Sequence, residues 1–273
     1  MRTLLLLLPV ALLAAPFEGK VVSVDTAAET ARLLADDGKA TDARVGPGDL
    51  AVGWSGRRVR GDLIESSGQL RLERVFPAEP ESLRRMAEVS DALRRDTVER
   101  GRLVTRGVGD AAPAWMLWDQ AGSLVASADL RGKPVVINFI FTRCKAATMC
   151  PASSAAMAAL AKALREAGLA GKVHLASVSF DPAYDSPGIL RSYADAMGLD
   201  LAQHRLLTGD ARQIKDLMAQ CGIQTIQADG TIVHNAATLL VSPEGRIVAR
   251  IEGPRFDPAD ILPLLRRELG DGR

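Results

Sequence analysis

The sequence predicts an α/β domain, a central mixed sheet flanked by helices, preceded by a small all-β module. Three observations point there. Apolar residues between 17 and 77 follow the two-residue period of half-buried strands. The apolar run Val135-Val136-Ile137-Asn138-Phe139-Ile140-Phe141 reads as a central strand covered on both faces. Downstream of it, segments of helical composition alternate with further strands. With 273 residues, 47% hydrophobic and 25% charged, the chain is long enough for one large domain or two modest ones.

Residues 1–16 read as a signal peptide or N-terminal anchor. Met1-Arg2-Thr3 gives a short basic start, and Leu4 to Ala15 is almost wholly apolar. The stretch falls short of the roughly 20 residues a membrane span needs. Leu12 and Leu13 fall where a cleavage site favours small residues, and Pro16 follows Ala15, so an uncleaved anchor is as consistent as a removed leader. No cysteine stands nearby to carry a lipid. Export is the expectation.

Residues 17–77 form the small β-barrel-like module. Lys20 to Asp25, Arg57 to Ile64 and Gln69 to Phe76 alternate, and Gly46-Pro47-Gly48 and Ser66-Ser67-Gly68 punctuate them. A closed or curled sheet buries such short strands. Residues 78–104 are a helical linker: Leu83, Met86, Val89 and Leu93 recur at helical spacing up to a break at Gly101, with Met86 a core residue. From 105 to 273 the α/β pattern holds. Trp115 to Trp118 and Leu124 to Ala126 flank a turn at Gln120-Ala121-Gly122. Ala152 to Ala167 has helical composition, and Val173 to Val178 reads as a strand. Ser186 and Asp210 open two helices, the second with Asp as its cap. Ala237 to Val241 and Arg246 to Ile251 make a second hairpin, and Asp257-Pro258 starts a last helix.

The formal net charge of +1, the absence of a basic stripe and an aromatic content of 4% exclude a nucleic-acid partner. Three cysteines in so long a chain are too few for a disulfide framework. Cys144 and Cys150 sit between the apolar strand and the next helix, and His234 lies far downstream. Two thiolates and an imidazole suit copper. Two thiols at a strand-to-helix junction suit redox chemistry as well, and in an exported chain they can pair as a disulfide, leaving Cys221 over. Cys221 reads as an inert, semi-buried thiol, and His174 and His204 as surface residues ahead of strands.

The hairpin before the Val135 strand, the cysteine pair at the next helix start and the closing hairpin plus helix resemble the thioredoxin superfamily. The finer signature resembles the SCO/SenC family of copper proteins. The matching stretches are Asn138-Phe139-Ile140-Phe141-Thr142-Arg143-Cys144, Cys150-Pro151, Ser179-Phe180-Asp181-Pro182 with Asp185-Ser186-Pro187, Leu207-Thr208-Gly209 and Val233-His234-Asn235. His234 follows Cys150 by 84 positions, as is typical of that family.

The resemblance implies a thioredoxin-like domain holding one copper ion, Cu(I) or Cu(II), on Cys144, Cys150 and His234, with a Cys144–Cys150 disulfide in the oxidised form. It implies a metallochaperone more than an enzyme, periplasmic or held at the outer face of the inner membrane through its N-terminus. Its partners would be the copper-centre subunit of a respiratory oxidase and other copper chaperones. A helix N-terminus with Arg143 and Lys145 adjacent would favour the thiolate of Cys144.

The family usually has three residues between its cysteines and a proline after the first. Here five intervene, Lys145 to Met149, and Lys145 takes the proline position. Met149 could serve as a weak thioether ligand, and Asp181 resembles a position that supports the site. The competing reading is a thiol–disulfide oxidoreductase working without obligatory copper; a redox or copper sensor would use the same residues, and a peroxidase fits less well. The N-terminal module weakly resembles small copper-binding barrels that use His and Met beside a Trp. Residues 17–77 contain Trp54 but no His, Met or Cys, which leaves a docking or spacer role.

Overall fold

Strands β1 (Ala14–Asp25), β2 (Thr30–Ala35), β3 (Ala40–Val45), β4 (Arg58–Ser66) and β5 (Gln69–Pro77) close into a barrel in the order β1-β2-β3-β5-β4. The structure is a computed structural model describing residues 14–228 and 231–270. Most of the leader expected over 1–16 lies outside the described residues. Its last three, Ala14 to Pro16, already belong to β1 and pair with β4. Among the described residues, no helix is long and apolar enough to cross a membrane.

Alternation builds the barrel core: Val21, Leu33, Ala43, Val59, Leu72 and Val75 point inward and are buried. Strands β2 and β3 were not expected as separate elements, because Arg32, Asp42 and Arg44 interrupt their apolar positions. Gly46-Pro47-Gly48 is more than a break. Pro47 occupies the first position of a short helix, α1 (Pro47–Val52), where its fixed φ and missing N–H cost nothing.

Helix α2 (Pro80–Arg100) follows the barrel. It is no free linker. Leu93 is buried in the main core, and three polar contacts tie α2 to the first two turns of α5 (Ala211–Gln220): Ser90 to Asp210 at 3.1 Å, Arg94 to Asp216 at 2.9 Å and Arg212 to Asp91 at 2.6 Å.

The second sheet has seven strands: β6 (Met116–Asp119), β7 (Leu124–Ala126), β8 (Val135–Ile140), β9 (His174–Ser179), β10 (His204–Thr208), β13 (Ala237–Val241) and β14 (Ile247–Glu252). Their order is β14-β13-β8-β9-β10-β6-β7, with β8, β9 and β10 parallel and the outer pairs antiparallel. All six residues of β8 are buried, as its unbroken apolar run requires. Helices α3 (Cys150–Glu166) and α6 (Pro258–Glu268) share one apolar cluster, while α4 (Pro187–Ala196) and α5 contribute to the other. Strands β11 (Thr225–Ala228) and β12 (Thr231–His234) pair antiparallel as a separate two-stranded sheet.

One polar residue of β8 has a partner on each side. Asn138 donates to Ser153 of α3 at 2.7 Å and accepts from Ser177 of β9 at 2.5 Å; Ser177 in turn meets the His204 ring at 2.8 Å. This corrects the surface reading of His204. It opens a central strand, is buried, and burial pushes its pKa down to about 4, so it is a neutral core residue. His174, half-buried at the start of β9, is not freely exposed either.

Candidate metal centre

The site lies where β8 ends. The chain leaves Ile140, turns through Phe141 to Met149, and re-enters regular structure at Cys150, the first residue of α3, with Pro151 next in the first turn. Cys144 lies within that turn and is half-buried; Cys150 is buried. The helix N-terminus therefore belongs to Cys150 rather than to Cys144. His234 ends β12 and completes the group. One ligand atom from each of Cys144, Cys150 and His234 lies within 4.8 Å of the other two. No bond joins the cysteines: Cys144, Cys150 and Cys221 are all free thiols.

The imidazole is set for ligation. His234 Nδ1 lies 2.7 Å from the Asn235 carbonyl oxygen, which can only accept, so Nδ1 carries the proton. Nε2 keeps its lone pair and faces Cys150 Sγ at 3.5 Å. Phe180 and Phe141 flank the ring at 4.7 and 6.0 Å between centroids. Partial burial lowers the His234 pKa, favouring the neutral ring that a metal needs. Burial strips water from Cys150 and raises its pKa, against an opposing hydrogen bond from the Phe141 backbone. In the metal-free protein this thiol keeps its proton, so a soft cation must displace it and metal uptake weakens as pH falls.

The turn carrying Cys144 is fixed from one neighbouring segment. Arg143 donates twice to Asp181 Oδ2, at 3.0 and 2.6 Å, and its guanidinium lies 4.4 Å from the Tyr184 ring centre. Thr142 gives its backbone N–H to Asp185 Oδ2 at 3.1 Å and its hydroxyl to Oδ1. Ser179 also donates to Asp185. Asp185 is wholly buried; the sequence placed it in a stretch that matches the family but gave it no role at the site. Tyr193 of α4, also missed, shares a 2.8 Å hydrogen bond with Ser154, one turn beyond Cys150. Met149 is half-buried at the N-cap position of α3. Cys221 is fully buried against Ile223 and the α5 face, with its pKa pushed up to about 12 by burial, and is not part of the group.

Two sulfurs and one imidazole nitrogen, converging beyond the end of a parallel strand, form a soft donor set. The fold and this junction define a thioredoxin-like protein with a Cys/Cys/His head. The SCO1/SenC family model matches residues 104–270, and the chain belongs to that family. The SCO1/SenC family lipoprotein of Bacillus anthracis str. Ames is similar in structure, with a TM-score of 0.54 and 26% identity over 60% of this chain and 99% of that one. Copper-bound ScoI of Arabidopsis thaliana superposes with a TM-score of 0.51 at 21% identity, covering 59% of this chain and 99% of that one. BsSco, described as a Sco-family cytochrome c oxidase assembly protein with a disulfide switch, gives 0.52 at 24% identity, covering 61% and 98%. At those identities the last two bear on the fold alone. No curated protein sequence matches the chain.

Proposed function

We propose that this protein is a copper carrier of the cell envelope that supplies one copper ion to the dinuclear copper centre of a respiratory oxidase subunit. The observation that carries the reading is the convergence of Cys144, Cys150 and His234 within 4.8 Å. Membership of the SCO1/SenC family supports it. The leader-like residues 1–16 support an exported location, periplasmic or anchored at the outer face of the inner membrane.

The residues divide the work. Cys150 is the buried ligand; Cys144 and His234 are both half-buried, and Cys144, on the turn, is the thiol a partner can reach. An incoming thiolate would replace the accessible ligand first, and release from the other two would follow. Oxidation of Cys144 and Cys150 to a disulfide would remove two protons and two electrons and abolish both soft ligands. The same pair could reduce a disulfide on the target, which is the oxidoreductase reading.

The test mixes Cu(I)-loaded protein anaerobically with the reduced soluble copper-centre domain of the oxidase subunit. Copper is expected to move to that domain. If copper stays, while the reduced metal-free protein converts the oxidised domain's disulfide to thiols, the oxidoreductase reading replaces this one.

A further inference from the structure

Among the described residues, three contacts between the barrel and the second sheet's domain stand out. Trp54 lies against Gly122, where Arg57 also donates to the Ala121 and Gly122 carbonyls at 3.1 and 2.6 Å. Phe76 meets Trp118 at 5.9 Å between ring centres. The third contact is the closest: α1 crosses the first turn of α4. A Cβ on Gly48 would fall 1.8 Å from the Gly188 carbonyl oxygen and 2.5 Å from Ser192 Oγ. A Cβ on Gly188 would fall 2.3 Å from Asp49 Oδ1. Neither glycine has a positive φ, so both serve close approach rather than an unusual backbone.

The loop that leads directly into that first turn of α4 also anchors the metal centre. Only Ser186 and Pro187 separate Gly188 from Asp185, which holds Thr142, and Asp181, four residues earlier, holds Arg143. Thr142 and Arg143 directly precede Cys144. Farther along α4, Tyr193 reaches Ser154 of the helix that begins with Cys150. The segment from 181 to 193 thus touches the supports of both thiols, and the barrel presses on its middle.

We infer that the barrel is a positioning element for the metal centre: Gly48 and Asp49, by fixing the first turn of α4, set where Cys144 stands relative to Cys150 and His234. This assigns a role to a module that carries no His, Met or Cys ligand of its own. The copper part of the inference rests on the proposed function; the geometric part does not. Because packed contacts shift between discrete arrangements, a partner that levers the barrel off α4 would loosen the hold on copper.

The test uses Gly48→Ala, Gly188→Ala and Thr142→Val in the full chain. Two readouts are taken: Cu(I) affinity against a competing chelator, and the midpoint of the Cys144/Cys150 thiol–disulfide couple in glutathione redox buffers. Near-ultraviolet circular dichroism reports whether each variant is folded. Loss of a residue that orients a metal ligand typically weakens binding by about 10- to 100-fold, and about tenfold is expected for each variant here. The Gly48→Ala/Thr142→Val pair is expected to lose less than the sum of the two, since both act through the same turn. Folded Gly48→Ala and Gly188→Ala proteins with wild-type affinity and wild-type midpoint, beside a weakened Thr142→Val, would overturn the inference and leave the barrel a spacer. If the wild type binds no copper, the proposed function fails, yet the thiol midpoint still decides this inference. Should Gly48→Ala not fold, Gly188→Ala, altered on the other side of the contact, reads the same effect.

Discussion

Cys144→Ala and Cys150→Ala are each expected to weaken Cu(I) binding by about 10²- to 10³-fold, with His234→Ala toward the lower end of that range. The scale comes from structural metal sites, whose roughly 10–16 kcal/mol spread over four ligands gives about 3 kcal/mol per ligand, each 1.4 kcal/mol being about tenfold. The thiolates carry more than the imidazole because Cu(I) prefers soft donors. Cys221→Ala should leave affinity unchanged, since that thiol is buried away from the group. Chelator competition under anaerobic conditions checks the set. An His234→Ala protein with wild-type affinity would remove the imidazole from the site.

The second large effect concerns stability and pH. Asp49 of α1 is buried against α4, and burial pushes its pKa from 3.8 up to about 6, a shift only partly offset by the Trp54 indole N–H donated to Oδ1 at 3.0 Å. Between those two values the folded protein holds a proton that the unfolded chain has released. The protonated Asp49 therefore contributes stability that is complete below pH 3.8 and is lost as pH rises through about 6. At 1.36 kcal/mol per unit, the loss amounts to about 3 kcal/mol. Asp49→Asn carries no such proton and can still accept from Trp54. The stability of Asp49→Asn relative to wild type, from denaturant unfolding, should rise by about 3 kcal/mol between pH 3.5 and pH 7. A difference that stays flat across that range would contradict the burial argument.

Much of the α/β domain was legible because its signals were local. The unbroken Val135 run, the hairpin turns at Gln120-Ala121-Gly122 and Ser242 to Gly245, and the caps at Asp210 and Asp257 each fix an element within a few residues, and all of them stand in the structure. The cysteine pair and His234 were legible through family spacing rather than geometry, since nothing local brings residue 234 to residue 150. What escaped depends on partners distant in sequence. His204 gives no sign that Ser177 will enclose it, and β2 and β3 are masked by charged residues on the barrel's outer face. Asp185 looks like a surface carboxylate until Thr142, 43 positions earlier, folds onto it. Helix α2 read as a linker because its ion pairs to α5 lie more than 100 positions away in sequence.

The central claim is that Cys144, Cys150 and His234 together hold one copper ion, and X-ray absorption of the reduced protein loaded with one equivalent of Cu(I) tests it most directly. The account predicts two sulfur neighbours and one nitrogen neighbour, with the nitrogen lost in His234→Ala. A shell of oxygen and nitrogen without sulfur, or a spectrum unchanged by His234→Ala, would contradict it.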